Sequence, residues 1–148
     1  MKKTIWFDLD GTLVNLYGVQ DWLPMIQAYD PTPYAVAKPL VRFSHLARLL
    51  NMLQGQGYNI GIISWLAKNS TAEYDGLVAE TKRAYLRKHL PSVRFDAINI
   101  VPYGTLKDTF NNGFDFLFDD EEQNRENWTG EAYDAKDLIA VLQEMVRG

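Results

Sequence analysis

Short apolar runs alternate along the chain with stretches whose apolar residues recur every three or four positions. Ile5, Trp6 and Phe7 form the first run and stop at a turn signal, as a strand buried on both faces does. Residues 14–38 are the least regular. They carry Gly18, Pro24, Pro31 and Pro33, with a short helix predicted around Trp22, Leu23, Met25 and Ile26, near Asp21, and a turn-rich connector over 30–34. Over 39–54, Leu40, Phe43, Ala47, Leu50 and Leu53 mark one face of a helix, with Pro39 in its first turn and Gly55 and Gly57 at its end. A second strand is predicted over 58–64. Residues 70–73 read as a capping box that opens a helix whose inner face holds Tyr74, Leu77, Val78, Thr81 and Tyr85. There follow a strand over 95–101, a short helix capped by Thr105 and containing Lys107, and a strand over 114–118. A brief helix over 124–128 and an edge-like strand over 131–133 come next. The last helix is capped by Asp134, with Leu138, Val141, Leu142 and Met145 turned inward.

Strands alternating with helices predict an α/β fold with a mostly parallel sheet and helices on both faces. In such sheets ligands bind beyond the carboxyl ends of the strands. Asp8, Asp10, Ser64, Lys107, Asp119 and Asp120 all fall at or just after predicted strand ends. His45 and His89 fall inside helices and read as surface or packing residues.

A length of 148 residues fits one domain over 1–148. A net charge of −4 speaks against gripping a polyanion by charge alone, so nucleic acid is not an expected partner. The absence of cysteine excludes disulfides and thiolate metal sites. No apolar run approaches the roughly 20 residues of a membrane helix, and no leader-like block follows the first residues. These features together predict a cytoplasmic protein.

Alternate side chains of an extended strand share a face, so Asp8 and Asp10 start out pointing the same way. Asp10-Gly11 between apolar residues is also a hairpin signal, which stands as the competing reading. A second acidic pair, Asp119 and Asp120, follows the late apolar run. Bringing both pairs to one sheet edge sets like charges against each other, and a hard divalent cation relieves them. An all-oxygen donor set without His or Cys favours Mg²⁺. The plainer alternative is that Asp119 and Asp120 cap the following helix. Lys107, in the first turn of a helix, gains from an opposing anion; Ser64 reads either as a phosphate ligand or as a local turn residue. Tyr17, Trp22, Tyr34 and Trp65 are the aromatics near the expected mouth, either stacking on a base or packing locally.

The runs FDLDGTL (residues 7–13), Ser64 after IGII, Lys107 in YGTLKDT and FLFDDEEQN (residues 116–124) resemble the four motifs of the haloacid dehalogenase-like hydrolases. The resemblance implies a Rossmannoid three-layer sandwich and Mg²⁺-dependent phosphoryl transfer through an aspartyl-phosphate. By it, Asp8 is the nucleophile and Asp10 the acid and then base. Asp8, the Asp10 backbone carbonyl and Asp120 hold the metal, supported by Asp119. Thr12 and Ser64 bind phosphate oxygens, and Lys107 neutralises charge. The acid at Asp10 favours a phosphatase over a dehalogenase. Asn124 stands where the family often has a later Asp. Substrate choice in the family lies in cap insertions. Here only residues 14–38, about two dozen, are free to form a flap or minimal cap. So light a cover admits a bulky substrate or is completed by a second subunit. The short aromatic flap and the Asp pair look like those of small 5′-nucleotidase-type phosphatases acting on a small phosphomonoester. A polynucleotide-end phosphatase and a catalytically silent scaffold are the alternatives.

Overall fold

The structure, a computed structural model describing residues 2–148, places β1 (Thr4–Phe7) at the centre of a five-stranded sheet. Parallel partners flank it: β4 (Asn59–Trp65) and then β5 (Ala97–Val101) on one side, β6 (Phe116–Phe118) and then β7 (Ala132–Tyr133) on the other. The alternation of an extended strand splits the β1 side chains between two cores. Ile5 and Phe7 join the larger cluster with Ile60, Ile62 and Phe118. Leu46, Leu50 and Leu53 of α3 (Phe43–Gly55), Tyr85 and Leu86 of α4 (Ala72–His89), and Leu138 and Leu142 of α6 (Leu138–Arg147) cover it. Phe7, Phe118 and Tyr133 stack across three strands at centroid spacings of 5.2 and 5.4 Å. Trp6 points to the opposite face with Ile63, Leu117 and Trp128, a smaller cluster that follows α5 (Glu122–Glu126).

Trp6 lies flat because its neighbour is Gly61: a Cβ there would collide with the indole ring. Beneath it the carboxylate of Asp115, 1% exposed, holds β1 to the start of β6. Its Oδ1 accepts from the Thr4 backbone N–H at 3.0 Å; its Oδ2 accepts from Trp6 Nε1 at 3.1 Å and from the Asn112 backbone N–H at 2.9 Å.

Strand order reverses at β1, so the loops after β1 and β6 run apart and open a crevice at their carboxyl ends. That pairing also overturns the hairpin reading of Asp10-Gly11: the partners of β1 are β4 and β6, and Gly11 instead closes a tight turn whose N–H donates to the Val14 carbonyl at 2.8 Å. Residues 14–38 leave and return through a two-stranded antiparallel pair, β2 (Val14–Asn15) with β3 (Lys38–Pro39). Between them lie α1 (Trp22–Gln27) and α2 (Thr32–Val36). No helix among the described residues is long and apolar enough to cross a membrane.

Several local expectations shift. The helix predicted from Pro39 starts at Phe43, because Pro39 is held in β3 and the Leu40 N–H donates to the Leu13 carbonyl. The turn-rich connector contains α2, opened by Asp30 accepting from the Thr32 N–H and hydroxyl. The cap of α4 is Thr71, not Ser70: Thr71 Oγ1 accepts from the Tyr74 N–H at 3.2 Å. On α4, Leu77 is exposed and Lys82 takes an inward position. The strand predicted over 114–118 begins at Phe116, since Phe114 has a φ of 56° and is exposed.

Asp115→Ala would strip two buried donors, the Thr4 N–H and Trp6 Nε1–H, and the more exposed Asn112 N–H of their acceptor, at a cost of about 2–4 kcal/mol. Urea unfolding of that variant is expected to show the loss; a change under about 1 kcal/mol would mean the carboxylate does not lock β1 to β6.

Candidate active site

Parallel register sets the site. Phe7 pairs with Phe118, so the next residues, Asp8 and Asp119, emerge side by side at the carboxyl ends of β1 and β6. The Asp8 N–H still donates to the Phe118 carbonyl at 2.9 Å, and the Asp119 N–H to the Tyr133 carbonyl at 3.1 Å. Lys107 opens a single 3₁₀ turn, Lys107–Phe110, and sends its side chain between the two carboxylates. Its Nζ donates to Asp8 Oδ1 at 2.9 Å and to Asp119 Oδ2 at 2.7 Å. Lys107 and Asp119 are almost wholly buried, Asp8 nearly so.

Asp119 is fully engaged. Its Oδ1 accepts from the Glu121 N–H at 2.9 Å, at the entry to α5, and its Oδ2 also accepts from Asn124 Nδ2 at 3.1 Å. Asp119 thus serves the helix entry and the Lys107 contact at once, and Asn124 braces it. Asp120 is half-buried beside Asp8. The Thr12 hydroxyl lies between them, 3.0 Å from Asp8 Oδ2 and 3.3 Å from Asp120 Oδ1; its single hydrogen serves one at a time. The Asp120 N–H donates to Thr12 Oγ1 at 3.2 Å. This approach needs Gly11, with a φ of 83°, because a Cβ there would strike the Asp120 carboxylate.

Asp10 has a different partner. Lys82 Nζ, 1% exposed overall, donates at 2.8 Å to Asp10 Oδ2, to Ser64 Oγ and to the Trp65 carbonyl. Lys82 was not singled out from the sequence. Its signal is a lysine in phase with Tyr74, Val78 and Leu86 on a helical face, a pattern that reads as a break in the apolar stripe. Ser64 is fully buried against it, and Thr12 is turned to the acidic pair, so both hydroxyls expected on phosphate face protein partners.

Burial dominates the electrostatics. It raises the carboxyl of Asp10, with Lys82 pulling the other way. It pushes Asp120 up to about 8, with Asp8 adding to the effect, and Asp119 up to about 6 against the pull of Lys107. Burial lowers Lys107, but the charges of Asp8 and Asp119 outweigh it and hold the ammonium above its ordinary range. Carboxylate oxygens of Asp8, Asp119 and Asp120 lie within 4.8 Å of one another. That is a hard, all-oxygen donor set, and the residues fit Mg²⁺. Asp119 accepts three hydrogen bonds, Asp8 two and Asp120 one, so Asp8 and Asp120 keep more lone pairs for an ion than Asp119 does. The Asp10 side chain, turned to Lys82, lies outside the acidic triad.

Asp8, Asp10, Lys107 and Asp119 line a cavity of about 510 Å³. All four aromatics singled out in the sequence, Tyr17, Trp22, Tyr34 and Trp65, line it too, joined by Tyr29, Tyr74 and Tyr103. Tyr17 meets Trp22 edge-on at 4.9 Å, and Trp65 meets Tyr103 at 5.0 Å. Trp65 is fixed by donating Nε1–H to the Thr105 carbonyl at 2.8 Å. Tyr34 also packs with Leu16, Tyr74 and Val78, so stacking surface and local core are the same residue there.

No protein-family model matches the sequence, nor does any curated protein. Among solved structures, the chain is similar to the crystal structure of D,D-heptose 1,7-bisphosphate phosphatase from Burkholderia thailandensis. The two are 11% identical, with a TM-score of 0.62 over 99% of this chain and 100% of that one. The fold is that of the haloacid dehalogenase-like hydrolases. In this haloacid dehalogenase-like fold the two acidic pairs and Lys107 converge at one sheet edge, as their strand-end positions predicted.

Asp119 and Asp120 bind protons more tightly folded than unfolded, since both values lie above the ordinary carboxylate value. The folded state therefore holds protons that the unfolded chain has released, and stability falls as pH rises from about 4 through about 8. In chelator, the melting temperature is expected to be lower at about pH 8.5 than at about pH 5.5, with Mg²⁺ restoring more of it at the higher pH. An equal response to Mg²⁺ at both pH values would count against the acidic triad as the metal site.

Proposed function

We propose that the protein is a Mg²⁺-dependent phosphomonoester hydrolase that works through an aspartyl-phosphate on Asp8. The observation that carries this reading is the Lys107 ammonium, which lines the cavity and spends only two of its three hydrogens on Asp8 and Asp119. A carboxylate paired with a cation that still has a donor to offer is suited to meet a phosphoryl group. The phosphatase name of the structural neighbour supports the same reaction class.

In this reading an Asp8 carboxylate oxygen forms a bond to phosphorus as the ester P–O bond breaks. Asp10 gives its proton to the departing oxygen, and the alcohol leaves. A water then adds to phosphorus, passing a proton to Asp10; the Asp8–phosphorus bond breaks and inorganic phosphate departs. Asp8, Asp120 and the Asp10 backbone carbonyl would hold Mg²⁺, which when bound would supply positive charge against the repulsion between an anionic phosphoryl group and an anionic nucleophile. Thr12 orients Asp8 and Asp120, Ser64 backs the phosphate side of the site through Lys82, and Asp119 with Asn124 holds Lys107. Burial of Asp10, opposed by Lys82, suits a group that must both give and take a proton.

The chain acts as one domain, with residues 14–38 as a flap over the site. The aromatic wall that Tyr17 and Trp22 contribute from this flap favours a nucleotide or another phosphomonoester with a flat, apolar leaving group. A polynucleotide end is less favoured at a net charge of −4. A silent scaffold is less favoured because Lys107 bonds Asp8 and Asp119, Asp120 lies in the same carboxylate group, and Asp10 lines the same cavity. The lack of cysteine suits a cytoplasmic setting.

Asp8→Asn is expected to abolish release of phosphate from an aryl phosphate while leaving the circular dichroism spectrum unchanged, and excess chelator is expected to silence the unmodified protein. Full turnover in either case would reject the mechanism. On a panel of nucleoside monophosphates and sugar phosphates, Trp22→Ala is expected to raise KM for the nucleotides by about tenfold, equivalent to the loss of one base–aromatic contact, and to leave sugar phosphates nearly unaffected. Equal effects on both classes would remove Trp22 from base recognition.

A further inference from the structure

Lys82 takes no part in the bond making and breaking described above, yet it is buried at the centre of the site. An ammonium inside a protein is costly unless its hydrogens are matched. Here each is matched: three acceptors lie at 2.8 Å, and an ammonium has three hydrogens. None is left for a substrate, which separates Lys82 from Lys107. Two of the acceptors, Ser64 Oγ and the Trp65 carbonyl, belong to the last two residues of β4, in the sheet itself. The Trp65 carbonyl is main chain of a strand paired with β5, and the Ser64 hydroxyl is fully buried beside it. The third acceptor, Asp10 Oδ2, is on the turn after β1 and lines the cavity. The face of the Tyr34 ring, from α2 in the flap, lies 5.0 Å from the same ammonium.

We propose that Lys82 is a positioning residue for Asp10: β4 anchors the ammonium, and the ammonium holds the Asp10 carboxyl at the cavity where the proton is transferred. The assignment rests on the phosphomonoester reading. A loop residue that must give a proton to one oxygen and take one from another needs its reach fixed to within a few tenths of an ångström. Asp10 follows a strand that has already ended at Phe7, and the turn around Gly11 fixes its backbone but not its side chain. The carboxyl is held by the bond to Lys82.

The test compares two leaving groups. Departure of an alkoxide, as from a nucleoside monophosphate, depends on a proton from Asp10; departure of nitrophenolate depends on it far less. Lys82→Met is expected to lower kcat on the alkyl ester by on the order of 10²-fold, with a smaller fall on nitrophenyl phosphate. Asp10→Asn is expected to show the same split, and the double variant to be no more than about threefold slower than Asp10→Asn alone. Lys82→Gln, which keeps two donors without the charge, is measured alongside in case Lys82→Met does not fold. Equal losses on both esters, unchanged turnover, losses that multiply in the double variant, or failure of both Lys82 variants to fold would each overturn the assignment and leave Lys82 a core residue. If the unmodified protein with Mg²⁺ hydrolyses neither ester, the functional reading itself fails; if it is active and only the Lys82 results disagree, that reading stands.

Discussion

An ammonium shared by two carboxylates holds the centre of this molecule. Parallel pairing of β1 with β6 delivers Asp8 and Asp119 to neighbouring positions, 111 residues apart in sequence, where their charges would repel. At a few ångströms, in surroundings poorer in water than the bulk, such repulsion is worth several kcal/mol. Lys107 reverses its sign by bonding both. The arrangement is conditional in every direction, because removing any one of the three leaves a buried charge without its counterpart. Sheet register and site chemistry are therefore one constraint: β6 cannot slip by a residue without taking Asp119 away from the lysine that makes its burial tolerable.

Asp8 and Asp10 are two residues apart and of one chemical type, yet they serve as a pair only because their surroundings differ. Asp8 lies at the strand end, between Lys107 and Thr12. Asp10 lies beyond it, after the chain has begun to turn towards Gly11, and meets Lys82 alone. Environments that differ in this way let like carboxyls take unlike roles, as the proposed mechanism asks of these two. Two buried lysines, one reached from a 3₁₀ turn and one from α4, thus divide the acidic edge into two compartments.

Residues 14–38, the proposed flap, are joined to this edge through their own packing. The β2–β3 pair closes its base, and α2 lies along α4 through Tyr34, Tyr74 and Val78. Tyr34 faces the cavity, the core of the flap and the Lys82 ammonium at once. A small cover can be well placed without being large when one aromatic side chain satisfies packing on one side and lines a ligand cavity on the other.

Local patterning in the sequence determined most of the scaffold. Ile5–Phe7 and the run through Ile60, Ile62 and Ile63 are apolar on both faces, which only an interior parallel strand explains. Strand-end positions in the sequence put Asp8, Asp10, Lys107 and Asp119 at the carboxyl edge of the sheet, where they line one cavity. Tertiary structure decided what depends on residues far apart. Pro39 was taken from a helix into a strand by pairing with Val14. The caps and starts of helices moved where a competing backbone bond was better. Lys82 was illegible because a charged residue on an apolar helical face carries no mark of its partners. Asp10, 72 residues away, and Ser64, on another strand, become its neighbours only when the sheet has formed. Periodicity reports which face a residue takes, since that is a property of neighbours in the chain; which charge it meets there is a property of the fold, because ion pairs form through space.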